Sequence, residues 1–135
     1  MNKPKLLLIG ANGQLGSDIL KVFDITYKVT PVKHAQLDIT DFDKVNRVIS
    51  RIKPQFIINT AAYHKVDEIE SNPSKAFLVN ALAQKNLATA AQKQNATIVF
   101  ISTDYVFGND SSRKKPYTEI DNIGPVNSYG VTKVA

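Results

Sequence analysis

Apolar residues along the chain recur with two periods, one typical of buried strands and the other of amphipathic helices. The apolar runs predict four strands, at Lys5–Ile9, Tyr27–Val32, Phe56–Ile58 and Thr97–Ser102. Helical spacing predicts segments between and after them, at Gln14–Asp24, Phe42–Ile52, Asn72–Gln94 and from Val126 onward. Because the strands are apolar throughout and alternate with helices, we expect an α/β fold with a doubly wound parallel sheet.

Capping residues and loop composition mark where these elements begin and end. Thr40 or Asp41 can cap the second helix, and Asn72 followed by Pro73 is a favourable start for the third. Residues 103–124 contain too many Gly, Asp, Ser, Pro and Lys residues for one regular element, so we expect a loop that serves a site. The 135 residues, 43% of them apolar, suffice for one domain spanning residues 1–135.

Composition argues against several classes of function. No apolar run approaches the roughly 18 residues of a membrane span, and residues 6–9 are too few for the core of a signal peptide. We therefore expect a soluble, cytoplasmic protein with no membrane partner. The chain has no cysteine, and His34 and His64 are far apart, so no metal site is predicted. The net charge of +5 comes from scattered lysines, which argues against nucleic acid as a partner.

A glycine-rich loop joins the first predicted strand to the first helix. Gly10, Gly13 and Gly16 stand at three-residue spacing. The first can form the tight turn, the second can let a pyrophosphate approach the backbone, and the third can let the helix lie close to the strand. Free N–H groups at the helix start favour the same anion. A structural turn alone would not need all three glycines, so the loop predicts a Rossmann-type dinucleotide-binding domain.

The residues after the second strand bear on which dinucleotide is bound. A site that prefers NAD usually places a carboxylate there for the ribose hydroxyls, whereas this chain has Lys33 and His34. These side chains can pair with a 2′-phosphate, so NADPH is favoured and NADH is the alternative. Asp38, the next acid, either contacts the adenine or belongs to the cap of the second helix.

A tyrosine and a lysine four residues apart form a candidate catalytic pair. Tyr129 and Lys133 share one face of the last predicted helix. A nearby positive charge can lower the pKa of a tyrosine from its ordinary value of about 10, which would make Tyr129 a usable general acid. Ser102 and Thr103 end the fourth strand, and ligands of such sheets bind beyond the carboxyl ends of the strands. Taken alone, Thr103 is equally well explained as a strand-end hydroxyl bonded to the backbone.

Other polar residues are interpreted as structural. The acidic side chains of Asp67, Glu68 and Glu70 precede a predicted helix, where they interact favourably with the helix dipole. Ser102 has no neighbouring histidine, so a Ser-His-Asp hydrolase is not supported.

Four motifs follow one another along the chain: Gly10-x-x-Gly13-x-x-Gly16, Asn59-Thr60-Ala61-Ala62-Tyr63, Ser102-Thr103-Asp104-Tyr105-Val106-Phe107-Gly108 and Tyr129-x-x-x-Lys133. Together they resemble the extended short-chain dehydrogenases/reductases, most closely those that act on nucleotide sugars. The resemblance runs from about Lys5 to Ala135 and covers the N-terminal half of such a protein. It implies an oxidoreductase that uses NADPH or NADH to reduce a dTDP-linked 4-keto sugar, and it is compatible with a homodimer.

The resemblance implies a role for each matching residue. Tyr129 would protonate the substrate carbonyl, Lys133 would hold the nicotinamide ribose and tune Tyr129, and Thr103 would hydrogen-bond the carbonyl. Asp104 would contact the substrate or would only shape its turn. The other residues that would contact the cofactor are Gly10, Asn12, Gly13, Gln14, Leu15, Gly16, Asp38, Ile39, Ala61, Ala62 and Tyr63.

Two other functions remain open at this stage. A dehydratase or an epimerase shares the fold and the tyrosine–lysine pair, although related dehydratases carry Asp-Glu after the threonine, where this chain has Asp104 and Tyr105. Some family members are non-catalytic dinucleotide-binding regulatory subunits, but a binding role does not need a tuned phenol. Since a C-terminal half completes the sugar pocket in the family, we expect the 135-residue chain to bind dinucleotide weakly and to turn over little substrate.

Overall fold

The computed structural model describes residues 3–135. The strands are β1 (Lys5–Ile9), β2 (Lys28–Val32), β3 (Phe56–Asn59) and β4 (Thr97–Phe100). The helices are α1 (Gln14–Phe23), α2 (Phe42–Ile52), α3 (Val66–Ser71), α4 (Pro73–Phe77), α5 (Ala83–Lys93) and α6 (Ser128–Val134). A π-helical segment (Leu78–Leu82) joins α4 to α5, and a 3₁₀ turn (Asp104–Val106) follows β4. The elements form two compact units.

The first unit contains the sheet and consists of the chain up to Ala62 together with Ala83–Ile101. Its four strands are all parallel, in the order β2-β1-β3-β4, which confirms the predicted α/β fold. Pro31 lies inside β2, where it is tolerated because β2 is an edge strand that pairs only with β1. The chain turns to opposite sides of β1 to form β2 and β3, so the end of β1 is a topological switch point of the kind at which such sheets bind ligands.

Both faces of the central strands are buried in the first unit. Leu6, Leu8 and Ile58 form a core cluster on one face, and apolar residues of α1 pack against it. Leu7 and Ile57 point to the opposite face and are 0% exposed, so that face is covered as well. The buried apolar residues of α2 and α5 are Val45, Ile49, Ala83, Leu87, Ala90 and Ala91. The double burial is what the continuously apolar strands predict.

The second unit consists of Tyr63–Leu82 and Ser102–Ala135. It contains α3, α4, the π-helical segment, the 3₁₀ turn and α6. The predicted helix over Asn72–Gln94 begins where expected, at Pro73, but the prediction of one continuous helix is wrong, because the π-helical segment interrupts it. Helix α3 was not predicted. Helix α6 begins at Ser128, two residues later than expected, because Asn127 caps it by accepting a hydrogen bond from the Gly130 N–H at 2.7 Å.

Two features of the surface bear on function. No helix within residues 3–135 has the length and apolar character needed to cross a membrane. β4 is more exposed than the other strands, with Val99 46% and Phe100 39% accessible, and it pairs only with β3.

Candidate active site

The glycine loop follows β1 and is held by hydrogen bonds to the neighbouring strand. The N–H groups of Gly10 and Ala11 both donate to the carbonyl of Val32, at 3.0 and 3.1 Å. Gly10 has a φ of +80°, a conformation that disfavours side chains. A Cβ there would also lie 2.6 Å from the hydroxyl of Thr60. The fold therefore requires glycine at position 10, where the sequence predicted a tight turn.

The other two glycines of the loop differ in what surrounds them. A Cβ on Gly16 would overlap the carbonyl oxygen of Gly10, so Gly16 allows α1 to lie close to the turn. A Cβ on Gly13 would meet only that same oxygen, at an ordinary 3.4 Å. The packing of the protein therefore requires glycine at position 16 but leaves room for a side chain at position 13.

The start of α1 presents exposed backbone next to this room. Gly13 is the N-cap residue and supplies no side-chain cap to the first N–H groups of the helix. The neighbouring positions Asn12, Gln14 and Leu15 are exposed. An anion that approached Gly13 would meet uncapped amide donors at the positive end of the helix dipole. The loop therefore has the geometry of a pyrophosphate cradle.

Asp38 is held in a turn of its own between β2 and α2. Its carboxylate accepts hydrogen bonds from the N–H and the hydroxyl of Thr40, at 2.9 and 2.7 Å. The N–H of Thr40 is the main cause that lowers the pKa of Asp38. The cap of α2 is Asp41, which accepts a hydrogen bond from the Lys44 N–H at 2.9 Å, so Asp38 is not the cap residue. Ile39 is 4% exposed and belongs to the core.

Asn59, for which no role was predicted from the sequence, positions the residues that follow β3. It is 3% exposed, donates to the Gln84 side chain at 2.7 Å and accepts from the N–H of Ala61 at 3.0 Å. Thr60 also donates to the carbonyl of Ile9, at 2.9 Å. These contacts fix the backbone that leads into Ala61 and Ala62.

In the second unit, Tyr63 is fixed at both its backbone and its ring. The Asn80 side chain accepts from the Tyr63 N–H at 2.9 Å and donates to the Tyr63 carbonyl at 2.8 Å. The phenol donates a short hydrogen bond to Glu68, which raises the pKa of Tyr63, and the Lys75 ammonium lies 4.7 Å from the ring centroid. Asn80 is 5% exposed and was missed by the sequence analysis; its only signal was a lone amide on an otherwise apolar helical stretch.

Helix α6 carries the candidate catalytic pair, Tyr129 and Lys133, and packs closely against the 3₁₀ turn. A Cβ on Gly130 would overlap the carbonyl oxygen of Tyr105, so glycine is needed for this approach. The rings of Tyr105 and Tyr129 meet edge to face with centroids 5.8 Å apart. The structure therefore brings the Ser-Thr-Asp-Tyr segment to the tyrosine of α6.

The phenol of Tyr129 lies next to the side chain of Thr103. Burial raises the pKa of Tyr129, Thr103 opposes this, and the negative charge of Asp104 raises it further. Burial also lowers the pKa of Lys133. The direction for Tyr129 is opposite to the lowering expected from the sequence, because removal of the phenol from water outweighs any benefit to the phenolate.

Asp104 and Tyr105 lie at the border of a cavity of about 510 Å³. Its lining residues are Asp104, Tyr105, Phe107, Gly108, Tyr117 and Val126. Asp104 accepts a hydrogen bond from the Thr103 hydroxyl at 3.3 Å. Thr103, Asp104 and Tyr129 are thus neighbours, beside a cavity that has a carboxylate and aromatic rings in its wall.

Three acidic residues were predicted to be structural: Asp67, Glu68 and Glu70. They lie in two different places. Asp67 and Glu68 lie in the first turn of α3, where acidic side chains interact favourably with the helix dipole. The sequence had predicted this interaction for the helix that begins at Pro73. Glu70 instead reaches the first turn of α6, where it accepts hydrogen bonds from Ser128. Among the described residues, no group of acidic or histidine side chains is arranged to hold a metal ion.

Known proteins resemble this chain along almost its whole length. The sequence profile of the RmlD substrate binding domain family matches residues 4–135. A dTDP-4-dehydrorhamnose reductase of Aggregatibacter actinomycetemcomitans is 42% identical over 131 residues, which are 96% of this chain and 44% of that protein. Methionine adenosyltransferase 2 subunit beta of Rattus norvegicus is 33% identical over 138 residues, covering 96% of this chain and 40% of that protein.

A solved structure is also similar to this chain. The crystal structure of dTDP-4-dehydrorhamnose reductase from Bacillus anthracis in complex with NADP has a TM-score of 0.93 to this chain at 39% identity, covering 99% of this chain and 48% of that one. The chain therefore spans less than half the length of each relative named here. The family profile matches residues 4–135, and the glycine loop at the switch point and the contact between Thr103 and Tyr129 are consistent with that match. The chain therefore belongs to the RmlD substrate binding domain family, with the Rossmann-type fold of the short-chain dehydrogenases/reductases.

Proposed function

We propose that this chain is the cofactor-binding and catalytic part of an NADPH-dependent reductase that converts dTDP-4-dehydrorhamnose to dTDP-L-rhamnose. One observation carries the proposal: the half-buried phenol of Tyr129 lies beside the Thr103 side chain, on a helix that packs against the 3₁₀ turn. A tyrosine with an ordinary or raised pKa is protonated at neutral pH, which is the state that a proton donor needs. The similarity to two reductases that act on this substrate supports the choice of reaction.

The chemistry follows from the residues around Tyr129. Bound NADPH supplies the hydride that reduces the keto carbon. Tyr129 gives its phenolic proton to the carbonyl oxygen, which becomes the new hydroxyl, and Thr103 donates a hydrogen bond to the same oxygen. Lys133 holds the nicotinamide ribose, and its ammonium stabilises the phenolate that remains on Tyr129.

The fit of the loop to a dinucleotide rests on Gly13. The protein leaves room for a Cβ at this position but places glycine there, next to the uncapped amides of α1. A pyrophosphate that lies against the backbone at this point accounts for both features. Exposed Lys33 and His34 after β2 favour NADPH over NADH, because they can pair with the 2′-phosphate.

The substrate side of the proposal rests on the 3₁₀ turn. Asp104 and Tyr105 border the 510 Å³ cavity beside Tyr129. A carboxylate can accept hydrogen bonds from sugar hydroxyls, and an aromatic ring can cover the apolar face of a pyranose. We therefore assign Asp104 to the dTDP-sugar, with turn formation as its second task.

A second candidate function is that of a dinucleotide-binding regulatory subunit. The 33% identity to methionine adenosyltransferase 2 subunit beta favours it. The two functions share the glycine loop and differ in what they require of Tyr129. A binding subunit does not need a protonated phenol placed beside Thr103, which is why we favour the reductase.

The proposal is tested first at Gly13. Calorimetric titration of the chain with NADPH and with NADH should show binding, tighter for NADPH. Gly13→Ala should change the free energy of unfolding by less than about 1 kcal/mol, since the Cβ fits and the lower entropy of the unfolded chain offsets the poorer N-cap residue. The same substitution should weaken NADPH binding by about tenfold or more, because the methyl group occupies the space of the pyrophosphate. Gln92→Ala, at an exposed position of α5, is the matched control and should leave binding unchanged.

Two results would count against this assignment. Equal NADPH affinity in Gly13→Ala and the unaltered chain would remove the loop from the site. Binding that is lost together with stability would mean that the substitution acts through the fold, which is the outcome we expect for Gly16→Ala and not for Gly13→Ala.

A further inference from the structure

The direction in which α6 presents Tyr129 and Lys133 depends on how a different face of the same helix is held. Ser128 and Thr132 are four residues apart and share one face, which we call the anchoring face. Tyr129 and Lys133 each follow one residue later and therefore lie about 100° around the helix axis. Any rotation of α6 about its axis would redirect the phenol of Tyr129.

Two polar contacts hold the anchoring face, one for each turn of the helix. In the first turn, the Glu70 carboxylate accepts from the Ser128 N–H at 2.6 Å and from the Ser128 hydroxyl at 2.9 Å. In the second turn, Asn80 donates to the hydroxyl of Thr132 at 3.0 Å, and Thr132 is 0% exposed. The Glu70 contact joins α6 to α3 across 58 positions of sequence.

The bonds to Glu70 differ in kind from the cap within α6. Asn127 caps the helix through Gly130, which closes the first turn but ties it to no other element. Glu70 binds both the backbone and the side chain of one residue with its two oxygens, so the carboxylate restrains the direction as well as the position of that turn. Hydrogen bonds to a charged group are also stronger than those between neutral groups.

We propose that Glu70 is a positioning residue: its bidentate contact with Ser128 holds the first turn of α6 in the rotation that places the Tyr129 phenol against Thr103. The proposal rests on the proposed function only where it regards Tyr129 as the proton donor. Glu70 touches neither Tyr129 nor Thr103, and it acts through the backbone of Ser128. Lys133, in the second turn, depends on Asn80 and Thr132 instead.

The consequence is a separable effect on two neighbouring side chains. Loss of the Glu70 carboxylate frees the first turn while Asn80 still holds the second. Tyr129 then gains access to water and loses its fixed place beside Thr103, whereas Lys133 keeps its surroundings. A residue that only stabilised the fold would alter both groups or neither.

The test compares Glu70→Ala and Glu70→Gln with the unaltered chain. Glu119→Ala, which removes an exposed acid from the 108–124 loop, is the matched control. Titration of the Tyr129 phenol and the Lys133 ammonium by NMR is the first readout. Exchange of the Ser128 and Gly130 amide hydrogens is the second, with the amides of β1 reporting on the integrity of the fold.

We expect Glu70→Ala to accelerate exchange of the Ser128 amide by at least about tenfold. The pKa of Tyr129, which burial holds above its ordinary value, should fall toward that value, while the titration of Lys133 stays unchanged. Glu70→Gln should lie between the two, because its amide can still accept from the Ser128 N–H but carries no charge. An unchanged Tyr129 titration despite faster Ser128 exchange would overturn the proposal and leave Glu70 as a plain helix cap.

The same variants separate this proposal from the proposed function. NADPH titration of the unaltered chain tests the cofactor site, and its failure does not alter the expected NMR result for Tyr129. If β1 also loses protection in Glu70→Ala, Glu70→Gln decides: an altered Tyr129 titration in a folded protein supports the positioning role, and an unaltered one overturns it.

Discussion

At the scale of single residues, Tyr129 is subject to opposing influences on its pKa. Burial and the charge of Asp104 disfavour the phenolate, while the neighbouring Thr103 side chain favours it. A group whose pKa is raised in the folded protein adds to stability below the ordinary pKa, and this contribution is lost as the pH rises through the raised value. The contribution of Tyr129 to the free energy of unfolding should therefore decrease above about pH 10, and comparison of the unaltered chain with Tyr129→Phe in denaturant unfolding at pH 8 and pH 11 measures it.

Thr103→Val tests whether the Thr103 hydroxyl lowers the pKa of Tyr129. The substitution keeps the shape but removes the hydroxyl that favours the phenolate, so the pKa of Tyr129 should rise further above its ordinary value. Alkaline titration of the phenolate absorbance, with Tyr129→Phe to assign the signal, measures it. Thr89→Val, whose hydroxyl donates to the Lys85 carbonyl in α5, is the matched control and should leave Tyr129 unchanged. A fall in the Tyr129 pKa in Thr103→Val would contradict the assigned contact.

The loop glycines show how far single residues can be understood from sequence. The spacing of Gly10, Gly13 and Gly16 between a strand and a helix was sufficient to predict a tight turn and a close helix. It could not tell which glycines the protein itself requires. That distinction needed the distances from each hypothetical Cβ, which only the folded backbone supplies.

At the scale of elements, α2 is a helix whose start and cap were predicted from the sequence and are confirmed. Asp41 accepts the Lys44 N–H at 2.9 Å and satisfies one of the free donors of the first turn. Asp43 lies in the same turn without acting as the cap. Substitution of Asp41 and of Asp43 in turn therefore distinguishes the capping hydrogen bond from the general effect of negative charge near a helix start.

Asp41→Ala should lower the free energy of unfolding by about 1 kcal/mol. In a chain of this size, that change corresponds to a fall of about 4 °C in Tm. Asp43→Ala removes the same charge but not the cap, and we expect a clearly smaller fall. Thermal unfolding followed by circular dichroism compares the two variants. Equal effects would mean that charge alone, and not the capping hydrogen bond, stabilises the start of α2.

The segment from α4 to α5 shows where element prediction fails. Asn72 and Pro73 marked the start of the helix, and its alanine-rich body extended close to the predicted end. The π-helical interruption was not visible in the sequence, because Leu78–Leu82 lies in a stretch whose apolar and alanine residues suit a helix on more than one face. It contains Asn80, whose contacts with Tyr63 and Thr132 come from elements distant in sequence.

At the scale of the whole molecule, the outer side of β4 is the exception to the burial of the sheet. A strand of a parallel sheet is expected to be covered on both faces, but Val99, Phe100 and Ile101 are 46%, 39% and 40% exposed. β4 also has one unpaired edge. Exposed apolar edges of this kind favour pairing with another chain.

We therefore expect the 135-residue chain to self-associate through β4. Its mass by light scattering should rise with concentration, and Val99→Lys should shift it toward the monomer, because a charged side chain on an edge strand opposes pairing. Val22→Lys, at an apolar position on α1 that is 66% exposed, should not have this effect. A strictly monomeric unaltered chain across the concentration range would refute the prediction.

The sequence by itself determined the four strands, the helices α1, α2 and α6, the parallel sheet, the turn at Gly10 and the family to which the chain belongs. These depend on local periodicity and on short motifs, whose physical requirements are met within a few residues of sequence. Only the tertiary structure decided the direction of the Tyr129 pKa, the anchoring by Asn80 and the contact of Glu70 with α6. Burial and contacts across 52 and 58 positions of sequence determine these properties, and they exist only once the chain has folded.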